Sequence, residues 1–161
     1  MTISVGDRLP DAKFTVMTES GPAPKTTSEI FGGKKVALFA VPGAFTPTCH
    51  KNHLPGFVEN AEAFKGKGID EIVCTSVNDV FVQSAWANAT GAEDKITFIA
   101  DGNGDFAKAL GLDLDGSPMN MGIRSKRYAM LVDDGVVKVL NVEEAPGKAD
   151  QSGAGALLGA I

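Results

Sequence analysis

The segment Lys35-Val36-Ala37-Leu38-Phe39-Ala40-Val41 constrains the fold more than any other part of the chain. Lys34 precedes it, Lys35 opens it, and every position after that is apolar, which suits a central strand covered on both faces. Pro42-Gly43 ends it. Further apolar runs at Glu71 to Val77 and Lys95 to Ala100 read as two more buried strands, with a helix over Val80 to Ala89 between them. Phe14 to Met17 reads as a short strand, Glu19 to Pro24 as a turn cluster, and Ser28 to Gly33 as one helical turn closed by glycine. Asn52 to Lys65 is helical in tone, interrupted by Pro55, and Phe106 to Leu110 is a helix stopped by Gly111. Tyr128 to Val132 and Val136 to Val142 flank Asp133-Asp134-Gly135, a hairpin signal, and Gly153 to Ile161 reads as a last short helix.

This alternation implies a parallel segment to which the terminal hairpin adds antiparallel strands. The expected fold class is α/β, a mixed central sheet flanked by helices on both faces. In such sheets functional sites lie at the carboxyl ends of the strands. The chain has 161 residues, which fits one domain over residues 1–161. Neither an internal repeat nor a linker-like pool of glycine and proline divides it.

A net charge of -5 without a basic patch argues against nucleic acid as a partner. No apolar run approaches the ~20 residues of a membrane span, and the N-terminus lacks the basic start and apolar core of a signal peptide. Two cysteines, Cys49 and Cys74, are too few for a secreted disulfide framework. The expected location is therefore cytoplasmic, where a cysteine is more often a working thiol than half of a structural bridge.

Chemistry concentrates in Val41-Pro42-Gly43-Ala44-Phe45-Thr46-Pro47-Thr48-Cys49-His50, just past the first central strand. Thr46-Pro47 is a helix-start pair, threonine at the cap and proline at the first helical position. Cys49 is then the third helical residue, beside backbone N–H groups without intrahelical partners, which favour an anion. A free thiol with a pKa of ~8.5 is only slightly ionised at neutral pH; helix N-termini and cations lower that value. Thiolate is both the nucleophile and the species that oxidises. Pro55 removes a helical hydrogen bond and crowds the Lys51 carbonyl. That reads either as cheap local opening around Cys49 or as a kink fitted to Phe57.

His50 and His53 raise a metal or Cys-His reading, since Cys49 and His53 share a helix face. With two histidines in the chain a zinc ligand set falls short, so no metal is expected. His53 reads as a half-exposed helix residue. Cys74, inside a strand, reads as a buried core thiol or as a resolving thiol; a bridge to Cys49 requires Cα atoms within about 7 Å. The cluster Arg124-Ser125-Lys126-Arg127 is either a solvated loop or the source of an arginine that holds a thiolate. Spacing alone does not choose between Arg124 and Arg127.

Pro42-x-x-x-Thr46-x-x-Cys49, extended by His53-Leu54-Pro55-Gly56-Phe57, resembles the signature of peroxiredoxins, in particular their type-II or fifth group. Ser76-Val77-Asn78-Asp79, Trp86, Ala100-Asp101, Lys126-Arg127-Tyr128-Ala129 and Val137 to Glu143 carry the resemblance along nearly the whole chain. It implies a thioredoxin-like fold with an N-terminal β-hairpin extension, and reduction of hydrogen peroxide and alkyl hydroperoxides without a cofactor. It also implies that Cys49 is the peroxidatic cysteine, that Thr46 hydrogen-bonds sulfur and peroxide, that Pro42 shields the pocket, and that Arg127 is the active-site arginine. Recycling would fall to Cys74 or to an external thiol, glutathione with glutaredoxin or thioredoxin. No C-terminal resolving cysteine follows Ala149. A homodimer is implied as well. A redox sensor using the same cysteine without turnover is the alternative; a thioredoxin-like reductase is disfavoured because no Cys-x-x-Cys occurs.

Overall fold

The computed structural model describes residues 2–145, 147 and 149–161. The chain opens with β1 (Lys13–Thr18), β2 (Gly21–Thr26), α1 (Thr27–Phe31) and β3 (Lys35–Val41). A π-helical turn (Cys49–His53) leads into α2 (Leu54–Glu59) and α3 (Ala61–Gly66). Then come β4 (Glu71–Ser76), α4 (Val80–Thr90), β5 (Thr97–Ala100), α5 (Asp105–Leu110), and a small ladder of β6 (Asp113–Asp115) with β7 (Ile123–Ser125). The hairpin β8 (Tyr128–Asp133) and β9 (Val136–Val142) and the helix α6 (Ala154–Ala160) complete it.

Among the described residues seven strands form one sheet in the order β2-β1-β5-β4-β3-β8-β9. β3, β4 and β5 run parallel, and β8 lies antiparallel against β3. The first central strand thus has a partner on each side and helices over each face. One face gathers Ala37, Phe39 and Val41 with Cys74, Phe57, Trp86 and Leu157. The other gathers Val36, Leu38 and Ala40 with Phe31, Phe106 and Leu110. Both sets are buried, which explains why no polar side chain follows Lys35 in the run. The hairpin turn places Asp134 at φ 48° and Gly135 at φ 79°, the two left-handed positions that its sequence favours.

Two sequence expectations need correction here. The second half of the expected turn cluster is strand β2, paired residue by residue with β1. Pro22 and Pro24 are tolerated because β2 is an outer strand, where a missing N–H costs no ladder bond on the open side. The helix expected from Asn52 begins at Pro47 and breaks at Asn60, after which α3 starts separately. Within it the register widens over Cys49–His53, so that the Leu54 N–H donates to the Cys49 carbonyl. Pro55 supplies the reason: it has no N–H for Lys51, and its ring would crowd that carbonyl in a regular α-turn.

Candidate active site

β3 delivers the chain to Pro42 at the carboxyl end of the sheet. The loop beyond it is pinned from β4: the Ala44 N–H donates to Asn78 Oδ1 at 2.9 Å, and Ser76 Oγ donates to the same oxygen at 2.8 Å. Gly43 lets the turn pack closely: a Cβ there would come within 3.1 Å of Thr46 Cγ2 and 3.2 Å of Arg124 Nη1, so those side chains would have to shift. Phe45 takes φ 65°, a left-handed conformation that costs a side-chain-bearing residue about 1–2 kcal/mol. Its ring stacks on His50, with centroids 5.8 Å apart. Strain of this kind is held only by a well-determined surround.

Cys49 is the third residue of the helix, as its position after Thr46-Pro47 predicts, and is fully buried. Arg127 Nη2 donates to its sulfur at 2.9 Å. Arg127 is itself buried, 2% exposed, because the start of β8 carries it under the helix. Its other terminal nitrogen, Nη1, donates to His53 Nδ1 at 3.0 Å. Of the two arginines that spacing left open, Arg127 therefore reaches the sulfur, while Arg124 Nε donates to the Met121 carbonyl at 2.9 Å.

Thr46 sits at the cap position, but its hydroxyl donates to the Gly43 carbonyl at 2.6 Å. The expected cap bond is replaced because the Pro42–Thr46 turn folds that carbonyl under the hydroxyl. Pro42, Thr46 and Arg127 line one cavity of about 300 Å³ together with Leu114, Met119 and Met121. Its wall is mostly apolar carbon. Cys49 lies beside these residues and is not part of the cavity's surface.

Cys74 stands apart from this group along the chain. It is fully buried in β4, opposite Phe39 in register, on the sheet face that the Cys49 helix covers. Burial pushes its thiol well up from the ordinary value, with the Cys49 charge adding to that and Arg127 opposing it. His50 accepts a hydrogen bond on Nδ1 from Trp86 Nε1 at 3.1 Å. Among the described residues no group of three or more His, Cys, Asp or Glu gathers where it could hold a metal ion.

Sequence reasoning placed His53 half-exposed; it is 1% exposed. Its Nε2 lies 2.8 Å from the Ser152 carbonyl, which only accepts, so Nε2 carries the hydrogen and Nδ1 offers a lone pair to Arg127. Burial lowers the His53 pKa to about 4; the Ser152 hydrogen bond opposes this, the Arg127 charge adds to it, and Glu143 opposes it. Ser152 is held in turn by Glu143, whose Oε2 accepts from its N–H at 2.7 Å and its hydroxyl at 2.6 Å. The sequence signs of His53 were its place four residues after Cys49 and its place in the motif that carries the peroxiredoxin resemblance. Glu143 showed only as the end of a run carrying that resemblance, and nothing marked its meeting with Ser152, which the fold alone brings about.

The sequence pattern of the redoxin family matches residues 4–158. The chain belongs to the redoxin family. Among relatives of this redoxin is "Peroxiredoxin-2E, chloroplastic" of Arabidopsis thaliana, 52% identical over 89% of this chain and 63% of that one. This chain thus spans less than two-thirds of that relative's length. "Peroxiredoxin-2B" of the same plant is 48% identical over 88% of each chain. In three dimensions the redoxin is similar to reduced Prx3 from Vibrio vulnificus in complex with hydrogen peroxide: TM-score 0.94, 48% identity, 99% of each chain covered. The peroxiredoxin resemblance and the thioredoxin-like α/β fold are thereby borne out, N-terminal hairpin included. Among the described residues no helix is long and apolar enough to cross a membrane.

Proposed function

We propose that this redoxin is a cysteine-dependent peroxidase acting on hydrogen peroxide and alkyl hydroperoxides, with Cys49 as its nucleophile and no cofactor. The observation that carries the reading is the guanidinium of Arg127 donating to the Cys49 sulfur at 2.9 Å inside a buried site. A buried cation with a directed donor favours the thiolate over the thiol. The thiolate attacks the terminal oxygen of ROOH and an S–O bond forms. The O–O bond breaks, its electron pair leaves with RO⁻, and RO⁻ takes a proton to become ROH. Cys49 is left as a sulfenic acid.

Thr46 and Pro42 shape the approach. The Thr46 hydroxyl commits its one hydrogen to Gly43, so toward a peroxide it acts as an acceptor of the peroxide proton. Pro42 walls the same cavity and offers no N–H. The apolar lining suits the alkyl end of an organic hydroperoxide.

For recycling, the burial and raised thiol pKa of Cys74 favour an external donor over an internal bridge, since the thiol form is the poor nucleophile. A glutathione or other donor thiol condenses with the sulfenic acid, releasing water and leaving a mixed disulfide that a second thiol, on glutaredoxin for example, reduces. Thioredoxin is the other donor considered. A cytoplasmic, reducing location fits such donors. A homodimer would give cover to Phe45 and Phe81, exposed at 48% and 65%.

Steady-state peroxide consumption with a thiol donor tests the reading. Cys49→Ser should abolish it, and Cys74→Ser should leave turnover with glutathione and glutaredoxin intact. Full activity in Cys49→Ser contradicts the mechanism. One oxidation followed by a stall in the wild type would instead mark a sensor.

A further inference from the structure

Glu143, Ser152, His53 and Arg127 close a circuit behind the sulfur. The Glu143 N–H donates to the Arg127 carbonyl at 2.9 Å, fixing the end of β9 beside the start of β8. The Glu143 carboxylate then takes both the N–H and the hydroxyl of Ser152. The Ser152 carbonyl takes the Nε2–H of His53 at 2.8 Å. His53 Nδ1 takes Arg127 Nη1 at 3.0 Å, and Arg127 Nη2 is left aimed at Cys49 Sγ at 2.9 Å. Every acceptor in this circuit is set by the donor before it, so only one tautomer of His53 completes it.

We infer that His53 is a positioning residue: by holding Nη1 of Arg127 on its Nδ1, it aims the rest of the guanidinium fork at the Cys49 sulfur. A guanidinium is planar and its nitrogens are rigidly related, so fixing one end sets the direction of the other. The imidazole is rigid as well. Phe39 and Phe57 pack against it with centroids at 5.1 and 5.6 Å, and the π-helical turn ending at His53 carries it on the same backbone as Cys49. A charged ring in its place would lose the Nδ1 lone pair and put a second cation against Arg127. Glu143 and Ser152 therefore act on the sulfur at one remove, through the Ser152 carbonyl that sets the histidine tautomer. This role rests on Arg127 serving Cys49 as proposed above.

The test compares the intact protein with His53→Phe, His53→Gln, Arg127→Ala, and the double variant Arg127→Ala with His53→Phe. The readouts are the pH at which Cys49 is half-alkylated by iodoacetamide and the second-order rate with hydrogen peroxide. Phenylalanine keeps the ring packing and removes both nitrogens. It should move alkylation to higher pH and slow the reaction by up to roughly a hundredfold, the scale on which misplacement of a reacting group is felt. Glutamine, whose amide presents one donor and one acceptor, should recover most of the rate. In the Arg127→Ala background the same His53 change should have no further effect, because its route to sulfur is gone.

A wild-type rate and titration in His53→Phe overturn the inference, as does a full additive loss in the double variant. If Arg127→Ala alone leaves both readouts unchanged, the underlying assignment of Arg127 falls and the inference with it. Should His53→Phe fail to fold, imidazole nitrogen NMR of the wild type decides. A neutral ring with its hydrogen on Nε2 at neutral pH is expected, and an Nδ1–H or protonated ring refutes the inference.

Discussion

At the scale of single residues, the site depends on one histidine staying neutral. His53 has a folded pKa of about 4 against an ordinary 6.5, so below the ordinary value the unfolded chain takes a proton that the folded one refuses. The stability tied to the neutral ring is complete above pH ~6.5, drains away as pH falls toward ~4, and changes no further below that. At 1.36 kcal/mol per pKa unit the loss is of the order of 3 kcal/mol. Urea melts of wild type between pH 7 and 4 should show that loss, and His53→Gln should show a much shallower one. Equal slopes in the two proteins would contradict the buried neutral ring. Glu143 adds a later acid loss. Burial raises its pKa, but hydrogen bonds from Ser152, Gln151 and Asp150 outweigh this and hold it below the ordinary value, so its contribution persists until pH falls through that lowered value.

At the scale of elements, short pieces are secured by local devices. α1 is five residues long and is held by a capping box: the Glu29 N–H donates to Thr26 Oγ1 at 3.3 Å, and the Thr26 N–H donates to Glu29 Oε1 at 3.2 Å. Thr26→Ala should cost about 1 kcal/mol in denaturant melts, with the peroxide rate unchanged because α1 lies across the sheet from Cys49. A rate loss would mean that the two faces communicate. Elements with their own local chemistry were readable in sequence. β3 runs over Lys35–Val41 as expected, the Asp134-Gly135 turn closes its hairpin, and Gly111 stops α5. β2 was hidden because two prolines deny a strand unless it lies at an edge, and edges are set by the whole sheet. The ladder of β6 with β7 was hidden because each strand has three residues, too few for a period to show. The buried state of His53 was hidden for the same kind of reason: its lid is Ser152, 99 residues away.

At the scale of the whole molecule, the sheet divides the interior into two cores with different duties. Phe39 lies on the face of Cys49, stacked on Phe57 with ring centroids 4.1 Å apart and against His53. Leu38, its neighbour in the chain, points into the opposite core among Phe31, Phe106 and Leu110. Leu38→Ala should cost roughly 2–5 kcal/mol of stability and leave the peroxide rate of the folded protein intact. Phe39→Ala should cost roughly 3–5 kcal/mol and slow the reaction as well, because the histidine loses a wall. Equal effects of both changes on the rate would refute the division. Its peroxiredoxin relatives and the similar Vibrio vulnificus structure place the chain in a family, and the arrangement around Cys49 supplies the physical reading of what it does there.

That reading meets its most direct test in a single turnover. The fully reduced protein is mixed with one equivalent of hydrogen peroxide without a donor thiol, trapped with a sulfenic-acid reagent, and digested for mass spectrometry, with Arg127→Ala alongside. The expected result is one reagent adduct on the peptide carrying Cys49, whose sulfenic oxygen leaves as water on trapping, formed rapidly in wild type and slowly in Arg127→Ala. Label appearing on Cys74 instead, or at the same rate with and without the guanidinium, would contradict a thiolate held for attack by Arg127.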